Sequence, residues 1–227
     1  VGCEALMRWN PPEFGQVSPA EFIPMAERLG YINLLGENMI RIAGRQCKKW
    51  ADAGLDLRMN INLSVGQIIE PDFLDKIDTL FDETGAPPEK ICFEVTESLA
   101  IHDMEKMKEL LKHITDKGVK IALDDFGTGY SSLGMLFQTP ADIVKIDRVF
   151  ISFINDRDHV FNHSFIGAVI KLCHSVGIAV CVEGVEHPGE LEAVCSLEAD
   201  SIQGFYISKP IPADQFEEKY WKRDGRQ

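Results

Sequence analysis

Seven short apolar, β-rich runs, most separated by helix-like stretches, constrain the fold of this chain more than any other feature. The runs are GCEALM (2–7), LRMNINLS (57–64), KICFEVT (90–96), KIALD (120–124), ADIVKID (141–147), IAVCVE (178–183) and SIQGFYI (201–207). Residues 18–30, 33–53, 72–84, 104–117, 158–176 and 187–197 carry apolar residues at helical spacing. The first of these stretches opens with Ser18 and has Glu21 three residues on, which predicts a capping box. Repeated βα alternation implies a parallel sheet covered by helices, either doubly wound or closed into a barrel.

The strand ends separate those two architectures. Nearly every run carries a polar residue at or near its C-terminal end: Glu4, Asn62, Glu94, Asp124, Lys145, Glu183 and Gln203. An open sheet concentrates its site at one switch point and draws on two or three strands. A closed barrel brings all of its strand ends onto one face, where the active sites of that fold lie. Seven contributing strands favour an α/β, TIM-like (β/α)8 barrel. Seven is one short of eight, and the sequence opens on Val1-Gly2 already inside a strand-like run. The expectation is therefore a fragment of a longer protein with its first strand upstream; the alternative is a seven-strand or partly open barrel.

At 227 residues and 45% hydrophobic, the chain fits one core and a single domain spanning 1–227. Its 23 basic and 36 acidic residues give a formal charge of −13, which argues against binding a nucleic-acid polymer. Six scattered cysteines without a CxxC, and no apolar stretch of about 20 residues, fit a reducing cytoplasmic setting. The six histidines form no HExxH or clustered metal-binding pattern.

Taken singly, each strand-end residue reads as a surface acid, a helix cap or a solvated lysine. Charged groups within apolar strands are rare unless paired or metal-bound. Together Glu4, Asn62, Glu94, Asp124, Lys145 and Glu183 supply four carboxylates, one amide oxygen and one ammonium to a single face. An all-oxygen ligand set suits hard cations such as Mg²⁺ or Mn²⁺, whereas zinc would recruit nitrogen or sulfur. Two such ions would also relieve the repulsion between the adjacent Asp124 and Asp125, one of which could bridge both. Metal pairs of that kind serve phosphodiester hydrolysis.

The motifs then identify a resemblance. Glu4-Ala5-Leu6 within GCEALMRW is followed in order by FIPMAERLGYI (22–32), NLSVGQ (62–67), FEVTES (93–98) and LDDFGTGYSSL (123–133). PADIVKID (140–147), VEGVE (182–186) and QGFYISKPIP (203–212) complete the series. From residue 2 to residue 212 the chain resembles an EAL domain, the bacterial family of cyclic di-GMP phosphodiesterases. The departures are few: Phe205 stands where the family often has Tyr, and Val182 where it often has Ala. The family's YQP-like strand before Glu-Ala-Leu is not in this sequence, which puts barrel closure in question.

The resemblance implies that Glu4, Asn62, Glu94 and Asp124 bind a first Mg²⁺ or Mn²⁺. Asp124 would bridge to a second ion completed by Asp125 and Glu183, the latter being either a ligand or a general base. Lys145 would orient the reacting water and hold the phosphate. Arg8 would contact a ligand phosphate, Gln203 would lie near the water, and Glu186 would support the site. Glu97 would anchor the FGTGYSS loop, which couples a homodimer contact to the site, and residues 148–165 would supply much of the dimer surface. The implied product is linear 5′-pGpG, and an upstream sensory or cyclase-type domain is expected in the full-length protein. The rival reading from another class is a catalytically silent cyclic di-GMP receptor or protein-interaction module, which would typically have lost metal ligands. His102-Asp103 gives a weaker alternative, an HD-type phosphohydrolase, but stands without partner histidines.

Overall fold

The structure, a computed structural model, describes residues 1–96, 104–129, 134, 136, 139–152, 154 and 160–221. Its strands are β1 (Gly2–Ala5), β2 (Arg58–Asn62), β3 (Ile91–Thr96), β4 (Lys120–Phe126), β5 (Ile143–Ile146), β6 (Ala179–Val182) and β7 (Ser201–Ile202). They form one sheet in the order β1 to β7, with every neighbouring pair parallel. This is the expected α/β architecture, a TIM-like sheet of seven strands.

The helices are α1 (Pro19–Leu29), α2 (Ile32–Asp52), α3 (Val65–Ile68), α4 (Phe73–Thr84), α5 (Met104–Asp116), α6 (Val160–Ser175), α7 (Pro188–Ser196) and α8 (Ala213–Phe216). The periodic stretches thus fold as expected, within a residue or two at most ends. The capping box at Ser18 does not form: Ser18 is extended at the N-cap position, but its side chain makes no capping bond. The Glu21 N–H, which such a box would direct to the Ser18 hydroxyl, goes to the Ser18 carbonyl at 2.9 Å. The capping box lies instead at Ser64 and Gln67, starting α3 directly after β2.

Side-chain alternation divides the sheet into two faces. Ile61, Phe93, Val95, Leu123, Val144, Ile146, Val180 and Val182 pack with the helices into the main core. Cys92, Ala122 and Ile143 occupy the opposite, inner face with Ala179 and Cys181. Burial on both faces explains why these strands read as near-continuous apolar runs.

Among the described residues β1 pairs with β2 alone and β7 with β6 alone, so no ladder closes the sheet. The two edges nevertheless approach each other at the C-terminal mouth. Gln203, just past β7, donates from Nε2 to Glu4 Oε2 of β1 at 2.7 Å. The last strand is shorter than expected, because the chain bends after Ile202. A Cβ on Gly204 would lie 2.1 Å from the Val185 carbonyl oxygen, so only glycine lets the backbone turn there.

Candidate active site

The mouth of the sheet holds a cluster centred on Lys145. This lysine stands on β5 beside Cys181 of β6 and is only 1% exposed. Its Nζ lies 2.7 Å from Glu183 Oε1, 2.8 Å from Glu94 Oε1, 3.2 Å from Asp124 Oδ1 and 3.9 Å from Glu4 Oε2. The parallel register makes this convergence possible. Glu94 of β3 stands opposite Asn62 of β2, and Asp124 of β4 stands opposite Thr96 of β3. Acids in the same phase of the pleat on adjacent strands therefore face the same lumen.

Two amides hold Glu4. Asn62 Nδ2 donates to Glu4 Oε1 at 2.7 Å, and Gln203 Nε2 donates to Oε2. The donor in each case defines the amide orientation, and it turns the Asn62 oxygen away from Glu4. Asn60, which stands two residues before Asn62 on the same face, donates from Nδ2 to Glu94 Oε1 at 2.7 Å.

Asp124 and Asp125 have different environments. Asp124 is 9% exposed, whereas Asp125 lies on the surface with φ +55°. The β4–β5 register shifts between Leu123 and Phe126, so a β-bulge falls on the aspartate pair. A bulge inserts one residue and re-aims the side chains beside it. Aspartate is among the few non-glycine residues that tolerate the left-handed region. The Asp125 carbonyl then accepts from Thr128 N at 3.2 Å and Thr128 Oγ1 at 2.9 Å, starting the glycine loop. Glu183 is followed by a comparable device. Gly184 has φ +74°, and a Cβ there would lie 2.2 Å from Arg148 Cβ, so the turn that delivers Glu183 requires glycine.

The structure thus brings together Glu4, Asn62, Glu94, Asp124, Lys145, Glu183 and Gln203. It does not join Arg8 or Glu186 to them by any direct contact among the described residues. Arg8 is exposed and donates to the Met7 carbonyl at 2.8 Å. Glu186 is also exposed, and its backbone N–H donates to Glu190 at the start of α7. Glu97, the His102-Asp103 pair and residues 130–133 of the glycine loop lie outside the described residues. Asn60 was not anticipated from the sequence. The signal was its two-residue spacing from Asn62.

The charge balance is unusual for so buried a place. One ammonium faces four carboxylates, three of them within 3.2 Å. Burial by itself would lower the Lys145 pKa; the attraction of Glu94, Asp124, Glu4 and Glu183 outweighs it and holds the ammonium above its ordinary value. Burial pushes the Glu94 carboxyl up to about 8, with Lys145 opposing and Glu4 and Asp124 adding repulsion. Burial likewise pushes Glu183 up to about 7, against the pull of Lys145. The surplus negative charge calls for a proton or a further cation.

Two oxygens favour the cation. Glu94 Oε2 and Asp124 Oδ1 are buried without a hydrogen-bond partner among the described residues. Asp124 Oδ1 is ion-paired with Lys145 Nζ at 3.2 Å and accepts no hydrogen bond among the described residues. Buried carboxylate oxygens without partners are costly, and hard divalent cations take such oxygens as ligands. No three His, Cys, Asp or Glu side chains among the described residues already form a cage for one ion. Lys145 occupies the centre, so an ion would have to share the carboxylates with it. The donor set fits Mg²⁺ or Mn²⁺.

The raised carboxyls carry a consequence for stability. Between their ordinary 4.5 and the raised values, the folded protein binds more protons than the unfolded chain. Stability of the metal-free protein should therefore fall as pH rises from about 5 to about 8. Mn²⁺ should raise the melting temperature more at pH 8 than at pH 6, since it replaces those protons. Differential scanning calorimetry at both pH values checks this, and a metal-induced shift independent of pH would contradict it.

Comparisons with known proteins agree with this architecture. A family profile described as "EAL domain" matches residues 1–210. The bifunctional diguanylate cyclase/cyclic di-GMP phosphodiesterase MucR of Pseudomonas aeruginosa is 36% identical over 217 residues, covering 95% of this chain and 31% of MucR. The cyclic di-GMP phosphodiesterase PdeR of Escherichia coli is 35% identical, covering 97% of this chain and 33% of PdeR. The chain thus spans about a third of the length of these curated relatives. The solved structure titled "PaMucR Phosphodiesterase, c-di-GMP complex" superposes with a TM-score of 0.89 at 35% identity, covering 95% of this chain and 87% of that one. Its sequence motifs, its seven-stranded parallel sheet and these matches place the chain in one family: it belongs to the EAL domain family.

Proposed function

We propose that this domain is a phosphodiesterase that uses two divalent ions, Mg²⁺ or Mn²⁺, to hydrolyse one phosphodiester of cyclic di-GMP to linear 5′-pGpG. The observation that carries this reading is a pair of buried carboxylate oxygens, Glu94 Oε2 and Asp124 Oδ1, that accept no hydrogen bond among the described residues and lie beside one ammonium at the mouth of the sheet. Glu4, Asn62, Glu94 and Asp124 would hold one ion, and Asp124, Asp125 and Glu183 would hold the other. Bound there, the ions supply Lewis acidity toward the phosphodiester and stabilise the attacking and leaving oxygens.

The chain's own residues do the rest. Lys145, held rigidly by its carboxylates, presents a fixed positive charge to the reacting phosphate and orients the attacking water. Glu183 Oε1, 2.7 Å from that ammonium, accepts the proton of the water or binds the second ion. Gln203 fixes Glu4 across the seam between β1 and β7, and Arg8 reaches for a ligand phosphate as a guanidinium fork. Water adds to phosphorus, the P–O3′ bond breaks, and the 3′-oxygen leaves with a proton. The ring opens with its 5′-phosphate retained.

The proposal extends to a single domain over residues 1–227, preceded in the full-length protein by a sensory or cyclase-type domain. It also includes a homodimer formed partly by 148–165, and a cytoplasmic location. No helix among the described residues is long and apolar enough to cross a membrane. The direct experiment is incubation of the purified domain with cyclic di-GMP and either Mg²⁺ or Mn²⁺, followed by chromatography for pGpG. Accumulation of pGpG that EDTA stops is the expected result. Tight binding without turnover in both metals would make the domain a receptor.

A further inference from the structure

Glu94 has two carboxylate oxygens in contrasting situations. Its Oε1 receives both Asn60 Nδ2 at 2.7 Å and Lys145 Nζ at 2.8 Å. Its Oε2 receives neither and is buried without a hydrogen-bond partner among the described residues. Glu94 is 1% exposed, so water cannot compensate from outside. Two donors on one oxygen fix the carboxylate plane and leave the second oxygen facing outward from them. The Asn60 amide is oriented by the same contact, because reversing it would set its carbonyl oxygen against the carboxylate. Its Oδ1 is in consequence also buried and unpartnered.

We infer that Asn60 is a positioning residue for the divalent-ion site: with Lys145 it locks Glu94 so that Oε2 alone is presented as a ligand. This rests on the two-ion reading above. Partners that hold a ligand from behind set its orientation and its basicity, and losing one typically costs about 10- to 100-fold in metal affinity. Lys145 cannot serve alone, since its ammonium is shared among four carboxylates and is drawn toward Glu183 at 2.7 Å. The Asn60 amide donates to Glu94, and it carries no charge that could compete with the ion. Position 60 thus tunes the site without touching substrate.

The test is Mn²⁺ titration of the protein by calorimetry, with Asn60→Leu, close in volume but without a donor, against the unsubstituted chain. The expected result is a 10- to 100-fold weaker Mn²⁺ affinity. Turnover should return toward the original rate as Mn²⁺ is raised, with KM for cyclic di-GMP unchanged. A merely structural defect would not be recovered by excess metal. Asn60→Ser, small and polar, replaces the leucine variant if that one does not fold. Mn²⁺ affinity within about twofold of the original in a folded variant would overturn the inference, as would a loss of turnover that excess Mn²⁺ fails to restore. Absence of Mn²⁺ binding in the unsubstituted protein would instead overturn the two-ion reading on which it rests.

Discussion

Asp124→Asn should abolish turnover of cyclic di-GMP and weaken divalent-ion binding by more than about 100-fold, beyond the cost of losing an outer partner. The substitution keeps shape and removes charge. Asp124 sits at the β4 bulge with Oδ1 buried, unpartnered by hydrogen bonds and 3.2 Å from Lys145. In the two-ion reading it is the shared ligand, so its loss affects both ions. The metal-free protein should become no less stable, because one surplus carboxylate has gone from a buried cluster. Calorimetric titration with Mn²⁺ and a product assay check the two halves separately. Turnover within tenfold of the original would remove Asp124 from the machinery.

Lys145→Met should have the largest effect on folding. In the metal-free protein this ammonium is, among the described residues, the one cation paired with four carboxylates at 2.7 to 3.9 Å. Removing one partner of a buried ionic cluster costs about 3–5 kcal/mol, since the remaining charges stay buried and uncompensated. The loss should be greatest above about pH 8, where Glu94 and Glu183 have both given up their protons, and small near pH 5. Mn²⁺ should restore much of it, because the ion takes over the neutralising role. Turnover should stay depressed even with the ions bound, because the phosphate loses its fixed positive partner. Denaturant titrations with and without Mn²⁺, alongside rates at saturating metal, separate these effects. Original rates in the variant would refute the role assigned to the lysine.

Much of this site was legible in the sequence because parallel strands impose a simple rule. Side chains alternate between faces, and all strand ends point one way, so polar residues ending Glu4, Asn62, Glu94, Asp124, Lys145 and Glu183 runs had to share a mouth. The placement of Lys145 within 3.2 Å of three acids was less legible, since it depends on the β3–β4–β5 register and on the bulge at Asp125. That bulge is a backbone event: the sequence shows two adjacent aspartates, but not that one is buried and the other is on the surface in the left-handed region. Ser18 shows the opposite failure, a capping pattern whose side-chain bond is not made. The two-residue spacing of Asn60 and Asn62 puts both on one face, but an asparagine inside an apolar strand does not name its partner until the neighbouring strand is in register. Arg8 lies on a surface segment beyond β1, where no ladder fixes its side chain.

The central claim is that the carboxylates around Lys145 are a divalent-ion site that acts on cyclic di-GMP. A crystal structure grown with Mn²⁺ and cyclic di-GMP, with anomalous data collected for manganese, tests it most directly. The expected result is anomalous peaks about 2.0–2.2 Å from Glu94 Oε2 and Asp124 Oδ1, a ligand phosphate on the same ions, and Lys145 turned toward that phosphate. Cyclic di-GMP bound at the mouth with no anomalous peak there, and Lys145 still spanning the four carboxylates, would contradict it.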